Sequence, residues 1–120
     1  MSCLFNSLNY FIKEGSTEIR NKICDYLQNN SPIIDGLETQ TILNMESQTY
    51  IQDMRRTSTW GGAIEIQAAC NIWNLRIIVR NHRCHKHTEI EFLPIHSRDI
   101  ITDNTIEIEW TGGHYEPVRT

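Results

Sequence analysis

Residues 3–12 of the chain read CLFNSLNYFI, and the remaining segments can be placed around this one. Its apolar residues follow Leu4 at spacings of one, four, seven and eight, which define one face of an amphipathic helix: Phe5, Leu8, Phe11 and Ile12. Cys3 therefore lies at, or just before, the first helical turn. Unpaired backbone N–H groups and the positive end of the helix dipole stabilise an anion there, so a thiol at this position is favoured as a nucleophile. The alternative is that Cys3 is a small apolar residue that begins a helix.

The length and the charge of the chain restrict its class. We expect 120 residues to form one domain over 1–120, because a second unit would be too small to build its own core. A formal net charge of −4 argues against general nucleic-acid binding, which needs a basic face. No apolar run is long enough to cross a bilayer, and the first segment lacks the basic lead-in of a signal peptide. We therefore expect neither nucleic acid nor a membrane as a partner.

The four cysteines, Cys3, Cys24, Cys70 and Cys84, are widely spaced and form no CxxC pair. An even number permits disulfides, but the lack of a visible secretory signal favours reduced thiols and a cytoplasmic protein. Cys24 and Cys70 fall within the apolar patterns of two helices. We expect both to be unreactive core residues.

The first half of the chain is predicted to be helical. The first helix should end near Gly15, and Ser16 or Thr17 should cap a second helix. The second helix has a core face formed by Ile19, Ile23, Tyr26 and Leu27. The breaker sequence NNSP at 29–32 should end it.

Two further helical regions follow. Residues 38–56 show a loosely helical pattern that is predicted to break between Glu46 and Thr49. A stronger helix is predicted from Ala63 to Trp73, with Asn74 as a left-handed cap. Apolar residues cover much of the circumference of this helix, so it should be central and covered on more than one side.

Strands are predicted in the second half, at 75–79, 89–92, 105–110 and 115–118. The third of these alternates cleanly, with Ile106, Ile108 and Trp110 on one face and Glu107 and Glu109 on the other. Helices followed by strands indicate an α+β (mixed α/β) fold with a small, mostly antiparallel sheet.

A thiolate nucleophile needs an imidazole that takes up its proton. Of the five histidines, His114 is distinctive because it follows Gly112-Gly113 at the end of the best-defined strand. Glu116 lies two residues further on and would be on the same side of an extended segment, where it could hold the ring tautomer. Cys3 and His114 therefore make a possible dyad between a helix start and a strand end. A structural histidine is the alternative.

Five short motifs follow one another along the chain. They are Cys3-Leu4-Phe5, Tyr50-Ile51-x-x-Met54, Trp60-Gly61-Gly62-x-x-Glu65, residues 75–79, and Gly113-His114-Tyr115. In this order they resemble the ovarian-tumour (OTU) domain cysteine proteases, and the resemblance extends over nearly the whole chain.

The resemblance implies a papain-like OTU fold, in which helices flank a small twisted sheet, and a thiol deubiquitinase. Such an enzyme hydrolyses the (iso)peptide bond after the C-terminal Gly-Gly of ubiquitin. Cys3 falls on the nucleophile, His114 on the general base, and Glu116 on the residue that orients the histidine. Backbone N–H groups at Ser2 and Cys3 would hold the oxyanion. The resemblance implies a monomer that needs no metal or organic cofactor and acts on ubiquitin, polyubiquitin or a ubiquitin-like modifier.

One departure from the family concerns the segment before the nucleophile. OTU domains usually carry an Asp-Gly-x-x-Cys lead-in that supports the site, whereas this sequence begins two residues before Cys3. The loss of one oxyanion donor typically lowers the rate about 10²–10³-fold. The alternatives are therefore a weak or inactive OTU-like module that binds ubiquitin, or a trimmed version of a longer protein. Glu116 in place of the more usual Asp or Asn is a smaller departure.

The expected substrate-binding residues are Trp60, Gly61, Gly62, Gly113 and Tyr115. Glycines at 61 and 62 would let the Gly-Gly tail of ubiquitin approach the backbone closely. The alternative is that 60–62 only form a helix entry, with Trp60 in the core. Glu65 is expected to be a structural hydrogen-bond acceptor.

Three further possibilities remain. His82, Cys84, His85 and His87 suggest a zinc-binding interaction domain, but they lack the paired spacing of zinc ligands, which favours a polar hairpin tip. An N-terminal-nucleophile hydrolase is disfavoured, because removal of Met1 would expose Ser2. The richness in Ile and Asn and the short length would fit a viral or microbial protein in a host cytoplasm.

Overall fold

The computed structural model describes residues 3–81, 88–95, 104–111 and 114–118. The predictions for Ser2, for Gly112-Gly113 and for the His/Cys cluster at 82–87 lie outside the described residues.

Five helices occupy the first part of the chain: α1 Cys3–Ile12, α2 Ser16–Gln28, α3 Thr39–Glu46, α4 Tyr50–Met54 and α5 Ala63–Trp73. The predicted break after Glu46 and the bounds of α5 are confirmed. Asn74 adopts the left-handed conformation with φ 54° and ψ 56°, and this ends α5 as expected.

The predicted cap of α2 is wrong. Ser16 is already the first helical residue, and Gly15 occupies the cap position without any side-chain hydrogen bond to the helix start. The turn from α1 into α2 needs φ 98° at Gly15, which glycine adopts without steric cost. The Gly15 N–H is fixed by the Asn9 Oδ1 at 2.8 Å. Backbone geometry, rather than a hydroxyl group, therefore sets the start of α2.

Within the described ranges, four strands form one sheet: β1 Arg76–Asn81, β2 Thr88–Phe92, β3 Thr105–Trp110 and β4 Tyr115–Pro117. The strand order is β2-β1-β3-β4. The two outer pairings are antiparallel, as predicted for most of the sheet, but the central pairing of β1 with β3 is parallel. The final pairing places Tyr115 opposite Trp110 and Glu116 opposite Glu109.

The core lies between the helices and one face of the sheet. α5 packs against β1 and β2, while α1 packs against β4 and α2. Ala68, Ala69 and Cys70 of α5 are fully buried, which confirms that this helix is central. The opposite face of the sheet carries ion pairs, including Arg80 with Glu107 at 3.0 Å. The packing of α1 against β4 therefore places the start of the chain beside His114, the residue that precedes β4.

Gly61 makes the closest backbone approach to α1. A Cβ atom at this position would lie 2.6 Å from the Leu4 Cδ2 and 3.1 Å from the Phe5 ring. Leu4 and Phe5 are both fully buried and cannot move outward. The lack of a side chain at 61 is therefore explained by packing inside the protein.

Gly61→Ala should lower the free energy of unfolding by about 1–3 kcal/mol, because the added methyl group overpacks the contact with α1. Gly62→Ala is the matched control, since a Cβ atom added at Gly62 would have the Glu65 Oε1 as its nearest neighbour, at 4.0 Å. We expect a change below about 0.5 kcal/mol there. Urea denaturation followed by circular dichroism measures both. Equal losses at the two glycines would show that the approach to α1 is not the cause.

Candidate active site

A groove of about 810 Å³ runs between α1 and β4, and we call it the Cys3 groove. Its walls bring together five residues that the sequence predicted for the site: Cys3, Trp60, His114, Tyr115 and Glu116. The residues come from three separate parts of the chain. The packing of α1 on β4 is what unites them.

Cys3 is the first residue of α1 and is half-buried, with a free thiol. The next turn is fixed by the core, because Leu4, Phe5 and Leu8 are fully buried. The Ser7 hydroxyl donates a hydrogen bond to the Cys3 carbonyl oxygen at 2.8 Å. The position of the thiol at the rim of the groove is therefore set by apolar packing one residue away.

His114 directly precedes β4 and contacts Glu116. Its backbone carbonyl accepts a hydrogen bond from the Thr111 N–H at 3.1 Å, which closes the hairpin between β3 and β4. The His114 Nε2 lies 3.3 Å from the Glu116 Oε1, which confirms that the two side chains share one side of this extended segment. Since Nε2 faces the carboxylate, Nδ1 is left for exchanging a proton with a thiol. Both side chains are more than half exposed, at 56% and 60%.

Tyr115 points to the other side of β4 and links the sheet to the groove. Its ring lies 6.4 Å from the Trp110 ring, centroid to centroid. Burial raises the pKa of Tyr115, and negative charge on Cys3 and Glu65 raises it further. Cys3 and Tyr115 therefore lie close enough to interact electrostatically, and Tyr115 stays a neutral wall of the groove.

Trp60 separates the Cys3 groove from a second groove of about 510 Å³. The side chain of Trp60 is 48% exposed, so it is not a core residue. Gly61 and Gly62 line the second groove and are not among the residues of the Cys3 groove. The structure therefore brings Trp60, but not the two glycines, to the thiol.

Glu65 is fully buried behind this wall and acts as a hydrogen-bond acceptor. Its Oε1 accepts from the Gly62 N–H at 2.7 Å, and its Oε2 accepts from the Tyr50 hydroxyl at 2.6 Å. Burial raises the pKa of Glu65, although both hydrogen bonds act in the opposite direction. The predicted structural role of Glu65 is confirmed, and the carboxylate fixes the backbone that follows Trp60.

Several features of the site were not predicted from the sequence. Asn6, Tyr10 and Glu109 also line the Cys3 groove. Arg20 is fully buried against α1 and the loop before Trp60. A signal for Arg20 was present, since it stands three, four and seven residues before apolar residues of α2, namely Ile23, Cys24 and Leu27.

No group of three His, Cys, Asp or Glu side chains converges on a possible metal site within the part of the chain that the structure describes. The His/Cys cluster at 82–87 is outside that part, so the zinc hypothesis stays a prediction. Among the same described residues, no helix has the length and apolar character needed to cross a membrane.

The three described thiols should differ sharply in reactivity. Burial raises the pKa of Cys24 to about 11 and that of Cys70 to about 12. Near pH 8, about one in 10³ of these thiols, or fewer, would be ionised. Iodoacetamide should therefore alkylate Cys3 in the native protein and should reach Cys24 and Cys70 only after unfolding.

Peptide mapping by mass spectrometry measures this difference, and urea-unfolded protein serves as the control in which all thiols react. Modification of Cys70 as fast as Cys3 in the native protein would contradict the prediction.

Comparisons with known proteins show which family this chain resembles in sequence and in fold. The family model described as OTU-like cysteine protease matches residues 2–115. The ubiquitin thioesterase OTU1 of Rattus norvegicus is 26% identical over 124 residues, which cover 98% of this chain and 33% of that protein. The chain thus spans about a third of the length of the curated relatives it matches.

Two solved structures share the fold. An OTU domain in complex with ubiquitin has a TM-score of 0.72 and 26% identity, with 97% of this chain and 62% of that chain covered. The viral OTU domain protease from Dera Ghazi Khan virus also has a TM-score of 0.72, with 23% identity and coverage of 97% and 72%. With nearly the whole chain matched by the family model, and with its thiol and histidine in one groove, the protein belongs to the family of OTU-like cysteine proteases.

Proposed function

We propose that this chain is a deubiquitinase that hydrolyses the (iso)peptide bond after the C-terminal Gly-Gly of ubiquitin. The observation that carries the proposal is the Cys3 groove, in which a thiol at a helix start and a histidine paired with a carboxylate line the same walls. The similar proteins named above include a ubiquitin thioesterase and an OTU domain in complex with ubiquitin. Both names support ubiquitin as the substrate.

The proposed first half-reaction begins at the thiol. The Nδ1 of His114 takes the proton from the Cys3 Sγ, and the sulfur attacks the carbonyl carbon of the last glycine of ubiquitin. Backbone N–H groups at Ser2 and Cys3 hold the oxyanion that forms. The intermediate then collapses, the C–N bond breaks, and His114 protonates the departing amine. Ubiquitin remains attached to Cys3 as a thioester.

Water completes the cycle. His114 removes a proton from a water molecule, and the resulting hydroxide attacks the thioester carbonyl. The C–S bond breaks, ubiquitin leaves as a carboxylic acid that loses its proton to the solvent, and His114 returns its own proton to the thiolate of Cys3. No metal or organic cofactor enters any of these steps.

The proposed role of Glu116 is to orient His114. A carboxylate at Nε2 favours the tautomer in which that nitrogen carries the proton, and it stabilises the imidazolium formed in each half-reaction. The 3.3 Å contact supports this role. Because both side chains are more than half exposed, solvent screens the interaction and its contribution is modest.

Trp60, Gly113 and Tyr115 are proposed to enclose the Gly-Gly tail beside Cys3. The aromatic side chains of Trp60 and Tyr115 line the same groove as Cys3, which supports this assignment. Gly61 and Gly62 line the second groove, on the other side of Trp60. In this proposal they support Trp60 and do not contact the Gly-Gly tail. Ubiquitin, polyubiquitin or a ubiquitin-like modifier would be the partner of a monomeric, cytoplasmic protein. The net charge of −4 gives no support to a nucleic-acid partner.

Ubiquitin with a C-terminal thiol-reactive warhead should form one covalent adduct, located on Cys3 by mass spectrometry. Cys3→Ala should abolish the adduct, and His114→Ala should slow its formation about 10²–10⁴-fold, because the proton acceptor is lost. Melting curves verify that both variants remain folded. An adduct on another cysteine would refute the proposal. Binding of ubiquitin without any adduct would instead support a ubiquitin-binding module without turnover.

Glu116→Gln should lower kcat/KM for a fluorogenic ubiquitin substrate about two- to five-fold, the range expected for an exposed ion pair. Glu91→Gln is the matched control, because Glu91 pairs with Arg76 on the outer face of the same sheet. The control should retain full activity. Equal effects of the two substitutions would show that Glu116 has no special relation to His114.

A further inference from the structure

Arg20 is a buried charged residue that the proposed reaction does not use. It stands on the core face of α2 and is 1% exposed. Burial lowers its pKa from the ordinary value, although the guanidinium stays charged because arginine is so strongly basic. A buried guanidinium must find hydrogen-bond acceptors, so its partners indicate what it holds in place.

The partners of Arg20 include backbone carbonyls at the end of α4 and in the loop that follows it, and also the Met54 Sδ at 3.8 Å. The Arg20 Nη1 donates to the Met54 carbonyl oxygen at 2.7 Å, and Nη2 donates to the Thr59 carbonyl oxygen at 3.0 Å, with Thr57 a longer contact at 3.4 Å. Residues 55–59 contain no regular helix or strand. One planar side chain therefore fixes both ends of this loop.

The face of the same guanidinium lies over an aromatic ring of α1. The Arg20 Cζ is 4.1 Å from the centroid of the Phe5 ring, a cation–π contact. Phe5 is two residues from Cys3 and also contacts Gly61. Arg20 thus connects the helix that carries the thiol to the loop that leads to Trp60.

Trp60 is held from both of its sides by buried groups. The preceding residue, Thr59, is bound through its carbonyl by Arg20, and Gly62 is bound through its N–H by Glu65. The exposed Trp60 side chain forms a wall of the Cys3 groove. Its distance from α1 is therefore set by these two polar contacts together with the packing of Gly61 on Leu4 and Phe5.

We propose that Arg20 is a positioning residue that sets the width of the substrate passage between α1 and Trp60. The proposal rests on the deubiquitinase function proposed above. Arg20 acts on how the ubiquitin tail is bound and does not act on the thiol–imidazole chemistry. A lysine cannot replace it, because a compact ammonium group neither spans the loop carbonyls nor lies flat on Phe5.

Arg20→Lys and Arg20→Met are compared with Arg55→Lys and Arg55→Met. Arg55 belongs to the same loop, but its guanidinium binds the exposed side chains of Asp25 and Gln28. With the fluorogenic ubiquitin substrate, Arg20→Lys should raise KM about 10-fold and should change kcat less than about two-fold, since small misplacements of binding groups alter affinity strongly. Arg20→Met should have a larger effect in the same direction. The Arg55 variants should match the wild type.

Two further measurements separate positioning from general stability. The rate of alkylation of Cys3 by iodoacetamide should stay within about two-fold of the wild type in the Arg20 variants, because the thiol and His114 are untouched. Hydrogen exchange at the amides of Thr59 and Gly62, which donate to the Arg56 carbonyl oxygen and to the Glu65 Oε1, should accelerate about 10-fold or more, because the loop is released. The Arg55 variants should show neither change.

An unchanged KM in an Arg20 variant that melts well above the assay temperature would overturn the proposal. A parallel fall in the alkylation of Cys3 would also overturn it, because Arg20 would then act through α1. If neither Arg20 variant folds, Phe5→Leu decides: it removes the ring beneath the guanidinium, and a KM that does not rise contradicts the proposal.

If the wild type does not cleave ubiquitin, the proposed function fails. Hydrogen exchange at the amides of Thr59 and Gly62 still decides whether Arg20 holds the segment around Trp60 in place.

Discussion

The contact of Leu4 and Phe5 with the backbone of Gly61 is the constraint on which the rest of the site depends. At this separation there is no room for a methyl group between α1 and the segment before α5. Both apolar side chains are fully buried, so α1 can neither rotate nor withdraw without opening a cavity in the core. Cys3 directly precedes Leu4 in α1, so the same contact holds the backbone of Cys3 in place. The Cys3 groove thus has one wall whose position is fixed by packing.

Its opposite wall is fixed by buried polar groups. Arg20 and Glu65 are both buried, and each makes one hydrogen bond to the backbone around Trp60: Arg20 to the Thr59 carbonyl oxygen and Glu65 to the Gly62 N–H. Burial of an ionised group costs several kcal/mol, and hydrogen bonds must offset that cost. Apolar residues of similar size would often be as stable at such positions. The hydrogen bonds of Arg20 and Glu65 are directional. They fix the orientation of backbone carbonyl and amide groups, which apolar contacts do not.

The sequence predicted much of this arrangement, for reasons that can be traced to particular residues. The bounds of α5 follow from its apolar periodicity and from Asn74, and the contact of Glu116 with His114 follows from the two-residue period of a strand. The parallel pairing of β1 with β3 was not predictable from local patterns, because it depends on how the chain crosses between distant strands. The cap of α2 was mispredicted because the steric demand at Gly15 outweighed hydroxyl capping. Arg20 was overlooked because its partners are carbonyls, which no side-chain pattern reveals.

The histidine side of the groove differs from these two walls, because it is less complete without a substrate. Cys3 and Trp60 are held by buried neighbours, whereas His114 and Glu116 are more than half exposed, just before and within a three-residue strand. In water, a carboxylate stabilises an imidazolium only weakly, because solvent screens the pair. A bound protein substrate that covers this strand would exclude water and strengthen the same 3.3 Å contact without any change of geometry. In the proposed mechanism, the side of the groove that transfers the proton therefore depends on substrate binding for its electrostatic strength, and the side that carries the proposed nucleophile does not.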